Sequence, residues 1–351
     1  MKCAVLISGG VDSSVALKLL QVTGRYDLTA FYLKIWLEDE LAYMGQCPWE
    51  EDLAYVRSVC ETAGVPLEVV SLQREYWERV VAHTLAELKA GRTPSPDILC
   101  NERVKFGAFF ERIGAEFALV ASGHYAQTRQ GADGRSELVR GVDPVKDQTY
   151  FLSHLRQDQI ARVAFPIGGL KKTEVRALAT TYSLPNRDRP DSQGICFLGK
   201  IPYNEFVRYH LGVKPGRIID KQTGRILGGH QGTWFHTIGQ RKGLGLSGGP
   251  WFVAGKDLSE NVVYVVHESG VNEAAERAFV IAGLNWIAGF PARPDLSVKI
   301  RHGERTVACK VEPMGEGRMA VTMAEPDRGI APGQYAVLYD GDVCLGGGVI
   351  D

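Results

Sequence analysis

Cys3-Ala4-Val5-Leu6-Ile7-Ser8-Gly9-Gly10-Val11-Asp12-Ser13-Ser14 runs an apolar strand into a glycine turn and then directly into the first turn of a helix. Cys3 to Ile7 is a short unbroken apolar run, which reads as a strand buried on both faces. Gly9 and Gly10 carry no Cβ, so their backbone is free to take positive φ and to approach a phosphate closely. Successive N–H groups at such a turn form an anion nest at a helix N-terminus, where the dipole also favours negative charge. Ser8, Ser13 and Ser14 add hydroxyl donors. Asp12 is the odd member, because a carboxylate repels phosphate unless it holds a cation, for which Mg²⁺ is the candidate. The bland alternative is a glycine turn with Asp12 or Ser13 as N-cap. The order of all seven residues, with a strand before and a helix after, favours a phosphate site made of Ser8, Gly9, Gly10, Val11, Asp12, Ser13 and Ser14.

The pattern around this loop repeats. Cys3 to Ile7, Leu28 to Leu33, Leu67 to Leu72 and Phe117 to Ala121 read as buried strands. Ser13 to Val22, Glu51 to Ala63, Glu75 to Lys89 and Arg103 to Ile113 read as helices between and after them. Such alternation predicts an α/β fold with a doubly wound parallel sheet, which binds ligands beyond the carboxyl ends of its strands. After about Gly199 the pattern shifts to glycine, tryptophan and β-branched residues. Ser297–Arg301, Thr306–Val311, Met319–Thr322, Tyr335–Tyr339 and Val343–Gly347 read as closely spaced strands of a small β-barrel. The expected division is a phosphate-loop domain over 1–200, a small mixed or β central domain over 201–275, and a barrel over 276–351.

The bulk numbers exclude several classes. With 351 residues, 45% hydrophobic and 23% charged, the chain is an ordinary globular one of two or three domains. Lys+Arg at 40 and Asp+Glu at 41 nearly cancel, so any polyanion site must come from local clustering. Seven cysteines with no CxxC pair argue against a disulfide framework and against a zinc knuckle. No signal peptide or membrane-crossing run is legible. A soluble protein of the reducing cytoplasm is expected.

Two cysteines stand apart. Cys100 lies in Pro94-Ser95-Pro96-Asp97-Ile98-Leu99-Cys100-Asn101. The prolines stop an incoming helix, and Asp97 is a natural N-cap, although it equally suits a general base. Cys100 then falls in a first helical turn, where the dipole stabilises a thiolate. Cys196 lies in Asp191-Ser192-Gln193-Gly194-Ile195-Cys196-Phe197, downstream of Arg187 and Arg189. Cys3, Cys60, Cys309 and Cys344 sit inside apolar runs and read as small buried hydrophobes; Cys47 is undecided. Gly243-Leu244-Gly245-Leu246-Ser247-Gly248 matches a dinucleotide fingerprint but runs into Gly249-Pro250, so no helix opens behind it and that reading fails.

The glycine loop is not a Walker loop, since no Gly-Lys-Ser/Thr follows. It resembles the PP-loop of ATP pyrophosphatases, which cleave ATP to AMP and pyrophosphate and adenylate a substrate oxygen; this resemblance covers about the first 200 residues. Further motifs then occur in order: Pro96-Asp97 with Cys100-Asn101, Ser122-Gly123-His124-Tyr125, Lys146-Asp147-Gln148-Thr149-Tyr150-Phe151-Leu152, Ser192 to Phe197, and Gly239-Gln240-Arg241-Lys242-Gly243-Leu244. Together they resemble the tRNA-specific 2-thiouridylase (MnmA) family over essentially the whole chain. The resemblance implies ATP and Mg²⁺ as cofactors and tRNA with Lys, Glu or Gln acceptors as substrate. It also implies a persulfide donor protein, either a cysteine desulfurase or a sulfur relay protein. It implies a persulfide on Cys196 and a nucleophilic role for Cys100. Asp97, Ile98 and Leu99 fall where the family contacts the target base. Lys146, Asp147, Gln148 and His124, with Arg301, His302 and Gln334, fall where it contacts tRNA. Leu33 and Gly123 match nucleotide-contacting positions, Leu33 departing from a frequent methionine and so limited to a backbone or packing contact.

From Lys200 to Lys256 the basic residues outnumber the acidic ones, with Arg241 and Lys242 among them. That asymmetry is the footprint of a polyanion partner, although charge runs are commonly only solvated surface. Tyr203, Phe206, Tyr209, Trp234, Phe235 and Trp251 interleave with the charges, some suited to stacking on bases and more of them to a core. Two rival readings remain at this stage: a synthetase adenylating a small molecule, which needs neither cysteine, and a non-catalytic RNA-binding protein, which needs no phosphate loop.

Overall fold

The computed structural model describes residues 1–35, 48–191, 202–270, 275–291 and 293–351. Its first sheet is parallel. β1 (Lys2–Leu6) lies between β2 (Asp27–Lys34) and β4 (Leu119–Ala121). β3 (Leu67–Ser71) flanks β2, and β7 (Val163–Ala164) flanks β4, giving the order β3-β2-β1-β4-β7. Alternation along β1 explains why every residue from Cys3 onward is apolar. Ala4 and Leu6 enter one core with the long helix of Cys100, while Cys3, Val5 and Ile7 enter another with α1 (Val11–Thr23) and α2 (Pro48–Ala63). Both faces are covered, as in a doubly wound sheet.

Central strands β8 (Gly216–Asp220), β9 (Ile226–His230), β10 (Trp251–Asp257) and β11 (Val262–His267) form a separate four-stranded sheet around Ile218, Val253, Val263 and Val265. The loop over residues 236–250 between β9 and β10 contains no helix, so the dinucleotide reading is dismissed structurally as well. The last sheet contains β12 (Glu276–Trp286), β13 (Asp295–Lys299), β14 (Val307–Gly315), β15 (Arg318–Asp327), β16 (Tyr335–Asp340) and β17 (Val343–Ile350). β12 pairs with both β15 and β17, which closes the barrel. The predicted strands all have counterparts here, and β12, eleven residues long, is an addition.

One pairing was not foreseen. β5 (Ala126–Gln130) and β6 (Ser136–Arg140) form a hairpin in the first segment, yet β6 pairs with β17 of the barrel through Val139↔Val343 and Leu138↔Cys344. Polar groups reinforce this junction out of contact with water. Lys299 on β13 places its Nζ 3.0 Å from Asp147, with side chains 1% and 2% exposed. The same carboxylate accepts from the Thr149 hydroxyl at 2.8 Å and from the Gly141 N–H. Tyr150 donates to the Tyr335 carbonyl at 3.1 Å, and Asn285 donates to the Ser153 and Leu155 carbonyls. Asp147 was expected to touch tRNA. Its carboxylate is an internal anchor, because a buried charge needs a partner of opposite sign.

Removing one member of such a pair strands the other charge. Lys299→Ala should therefore destabilise the protein by about 3–5 kcal/mol in a denaturant melt. A loss under about 1 kcal/mol would show that Asp147 finds another partner.

Candidate active site

Beyond the carboxyl ends of β1, β2 and β4 lies a cavity of about 670 Å³. The phosphate loop, Leu33, Gly123 and Tyr125 line one part of it; Lys105, Lys146, Gln148, Phe151 and His302 line another. Nearly the whole of one wall comes from the first segment, but His302 arrives from the barrel.

The loop is held by its own hydroxyls. Ser13 Oγ donates to the Gly10 carbonyl at 3.0 Å and accepts from the Ser8 N–H at 3.2 Å. Ser14 Oγ donates to the same carbonyl at 3.1 Å. Asn186, 1% exposed, donates from Nδ2 to the Gly9 carbonyl at 2.7 Å and to Ser14 Oγ at 2.9 Å. Of the two glycines, only Gly9 has positive φ, at 80°. A Cβ there would stand 2.8 Å from the Asp52 carbonyl oxygen. Gly10 is the N-cap of α1 in an extended conformation with φ −76°, so the expectation of positive φ does not hold for it. Gly123 is the tighter constraint: a Cβ there would lie 2.6 Å from the Ser13 nitrogen. The end of β4 thus sits directly on the first turn of α1, leaving that turn's N–H groups facing the cavity.

Charge at this end is balanced internally. Lys172 Nζ lies 2.7 and 2.9 Å from the two Asp12 oxygens and 2.7 Å from Asp191 Oδ1. Tyr125 OH donates to Asp12 at 2.8 Å. Asp191 also receives Lys146 at 2.8 Å and Arg176 at 2.6 Å. Burial alone would raise the Asp191 carboxyl, but the hydrogen bonds from Lys146 and Lys172 hold it well below the usual carboxylate range. Two carboxylates bridged by one ammonium beside a phosphate nest suit Mg²⁺, which takes one or two carboxylates together with phosphate oxygens and water. The donor set fits provided Lys172 yields its place. Among the described residues there is no cluster of three or more side chains able to hold a metal without the nucleotide's oxygens.

His124 is a neutral imidazole. Burial, with Lys105 nearby, pushes its pKa down to about 3, and its Nδ1 pairs with Ser122 Oγ at 2.7 Å. It lines the cavity as a polar aromatic surface and carries no charge for phosphate. Gln148 accepts the Tyr125 N–H through Oε1 at 3.0 Å, which leaves its amide N–H groups as donors.

Cys100 ends an α-helical turn, Pro96–Cys100, that continues as a π segment, Asn101–Ala108, and an α segment, Phe109–Ile113. The N-cap is Ser95, so Asp97 is not the cap but lies at the second helical position. Pro96 explains the shift, since its fixed φ and missing N–H suit the first helical position. Asp97 still stands in the first turn, where the dipole favours its charge. Ile98, Leu99 and Cys100 are buried, Cys100 at 1% exposure, and the cavity lining does not include them. Asn101, 3% exposed, ties this helix to the Phe151 carbonyl at 3.0 Å. Cys196 and Cys47 lie outside the described residues. The remaining cysteines are inert: burial pushes the thiols of Cys3 and Cys60 up to about 11 and those of Cys309 and Cys344 up to about 12.

Other expected residues fall farther out. Arg301 is exposed and doubly bonded to Asp327 at 2.9 and 2.7 Å. Gln334 follows a turn whose Pro332 carbonyl accepts the Thr93 N–H at 2.7 Å, close to the entry of the Cys100 helix. Arg241 and Lys242 are exposed in the 236–250 loop, and Gly239 of that loop packs on Gly329 of the barrel. Arg208, Lys214, Arg217, Lys221 and Arg225 are exposed as well, whereas burial pushes Lys256 down to about 8. Lys105, Asn186, Lys172 and Phe151 were not singled out from sequence. Asn186, Lys172 and Phe151 meet partners 177, 160 and 50 positions away.

Comparison with known proteins shows the family. Residues 1–200 match the tRNA methyl transferase HUP domain family, 204–267 the tRNA methyl transferase PRC-barrel domain family, and 276–350 the aminomethyltransferase beta-barrel domain family. A tRNA-specific 2-thiouridylase MnmA of Parabacteroides distasonis is 46% identical across all of this chain and 99% of its own length. A Bacteroides thetaiotaomicron protein of that name is 47% identical, and one from Porphyromonas gingivalis 46%, each across all of this chain and 99% of its own length.

Gly123→Ala should weaken ATP binding at least tenfold by titration calorimetry while the unfolding transition persists, because the added methyl must push the start of α1 out of place. Unchanged affinity would mean that this turn does not hold the nucleotide.

Proposed function

Since the chain belongs to the tRNA-specific 2-thiouridylase family, it is a tRNA-uridine 2-sulfurtransferase, and we propose that it uses ATP to activate the uridine and cysteine-borne sulfur to replace the oxygen. The observation that carries this reading is the single cavity in which an anion nest faces Lys146, Gln148 and His302. A nucleotide phosphate and an RNA base have room to meet there.

The 2-oxygen of uridine is a poor leaving group. It attacks the α-phosphorus of ATP, pyrophosphate departs, and the oxygen becomes part of an AMP ester. The N–H groups at the start of α1 and the hydroxyl of Ser8 stabilise charge on the phosphates, while Ser13 and Ser14 brace the turn through the Gly10 carbonyl. Asp12 and Asp191 are the residues that would hold Mg²⁺, which supplies further charge neutralisation when bound. Sulfur then arrives from a persulfide on Cys196. Two balanced routes are open. The terminal sulfur attacks C2 and expels AMP, after which the Cys100 thiolate attacks the Cys196 sulfur and releases the 2-thiouridine. Alternatively Cys100 attacks first and releases hydrosulfide, which then displaces AMP. Either route ends in a Cys100–Cys196 disulfide that an external thiol must reduce. Cys100 is buried at the end of a first helical turn, which keeps water from its sulfur.

The substrates we propose are wobble uridines of tRNAs with Lys, Glu and Gln acceptors. The sulfur source is a persulfide-bearing cysteine desulfurase or relay protein. Asp97 acts as base or orients the uracil from the helix start. Unbridged buried Cys3, Cys60, Cys309 and Cys344 support a reducing cytoplasm as the place of action. Among the described residues no helix is long and apolar enough to cross a membrane.

Incubation with ATP, tRNA and a persulfide source, followed by nucleoside mass spectrometry, should yield 2-thiouridine, AMP and pyrophosphate. Cys100→Ser and Cys196→Ser should each abolish the product with the melting temperature retained; 2-thiouridine from either variant contradicts the two-cysteine route. Binding of tRNA should weaken steeply with salt, and Arg241→Ala or Lys242→Ala should lower that slope by roughly one charge. Affinity indifferent to ionic strength would remove the exposed basic loop from the interface.

A further inference from the structure

We propose that the stacked rings of Phe151 and His302 are the platform on which the target uracil lies while its 2-oxygen is activated. The inference rests on the sulfurtransferase reading and adds to it the surface that presents the base. Phe151 belongs to the first segment and His302 to the barrel. Their centroids are 4.5 Å apart with ring planes 21° from parallel. Both line the cavity that contains the phosphate loop. Phe151 is half-buried and His302 exposed.

Three observations argue that this pair is more than packing. First, its position is fixed from several sides. The Phe151 carbonyl accepts Asn101 Nδ2 at 3.0 Å, and the Phe151 N–H donates to the Gln148 carbonyl at 3.0 Å. His302 Nε2 pairs with the Asp147 carbonyl at 3.3 Å, one residue from Gln148. Asn101 follows Cys100 directly, so the ring and the thiol helix keep a set relation. Its Oδ1 is buried with no hydrogen-bond partner among the described residues.

Second, the wall is chemically suited to a neutral flat ring. Uracil has a π-face and no charge, and stacking on aromatic side chains is how proteins hold splayed RNA bases. Partial desolvation lowers the pKa of His302, which favours an uncharged ring beside Phe151. Third, polar recognition stands beside the rings. Gln148 keeps its amide N–H donors after its Oε1 is used by the Tyr125 N–H, and uracil offers carbonyl oxygens to accept them.

The test uses the full-length protein. Phe151→Leu, checked by melting temperature and by ATP binding, should raise the KM for tRNA about tenfold or more with a smaller change in kcat, and Phe151→Tyr should restore it. A Leu variant within twofold of the parent in both constants overturns the proposal. Phe151→Trp provides a reading independent of turnover. Its added fluorescence over the parent protein should be quenched by an anticodon stem-loop carrying the wobble uridine, and not by the same RNA with an abasic site there. Equal quenching by the two RNAs overturns the platform. Failure of the parent protein to make 2-thiouridine would instead strike the sulfurtransferase reading, while the difference in quenching would still report whether the base stacks.

Discussion

A single ion pair sealed from water, Lys299 with Asp147, joins the barrel to the segment that lines the cavity. Its two neighbours in sequence, Lys146 and Gln148, line the cavity, and its carbonyl holds His302. A buried pair of this kind is a weak source of stability but a strict one, because neither charge tolerates the loss of the other. The barrel therefore does more than extend the chain. It fixes the register of residues 146–151 against β1 and β4, and it does so together with a strand pairing that crosses the domain pattern expected from sequence.

At the opposite end of the cavity the logic is steric. Gly123 packs its backbone on the first turn of α1 where no side chain fits. That contact holds the turn and leaves its amides directed at the ligand. Lys172 neutralises both Asp12 and Asp191. The site is thereby prepared for charge without holding two unpaired carboxylates, which would be costly beside a phosphate.

The phosphate loop was legible because its chemistry is local. A strand, a glycine turn, hydroxyls and a helix start must be contiguous to work, and periodicity reveals each part. The closed barrel was legible for the same reason, as were the inert cysteines inside apolar runs. The N-cap at Ser95 in place of Asp97 was misjudged because a proline at the first helical position outweighs a good capping side chain one residue later. The partner of the Asp147 carboxylate was not legible, because nothing near it in sequence announces Lys299. Asn186, Lys172 and Phe151 stayed silent because their partners are distant along the chain.

By itself the sequence determined what depends on neighbours a few residues apart: the parallel sheet with its anion nest, the helix turn bearing Cys100, and the strands of the barrel. The tertiary structure alone decided which distant groups share one cavity. It set Lys172 on Asp12, sank Asp147 beneath the barrel and laid His302 on Phe151. The division follows from the physics: backbone conformation responds to local propensity and period, whereas the burial of a charge or the facing of two rings exists only once the chain has closed on itself.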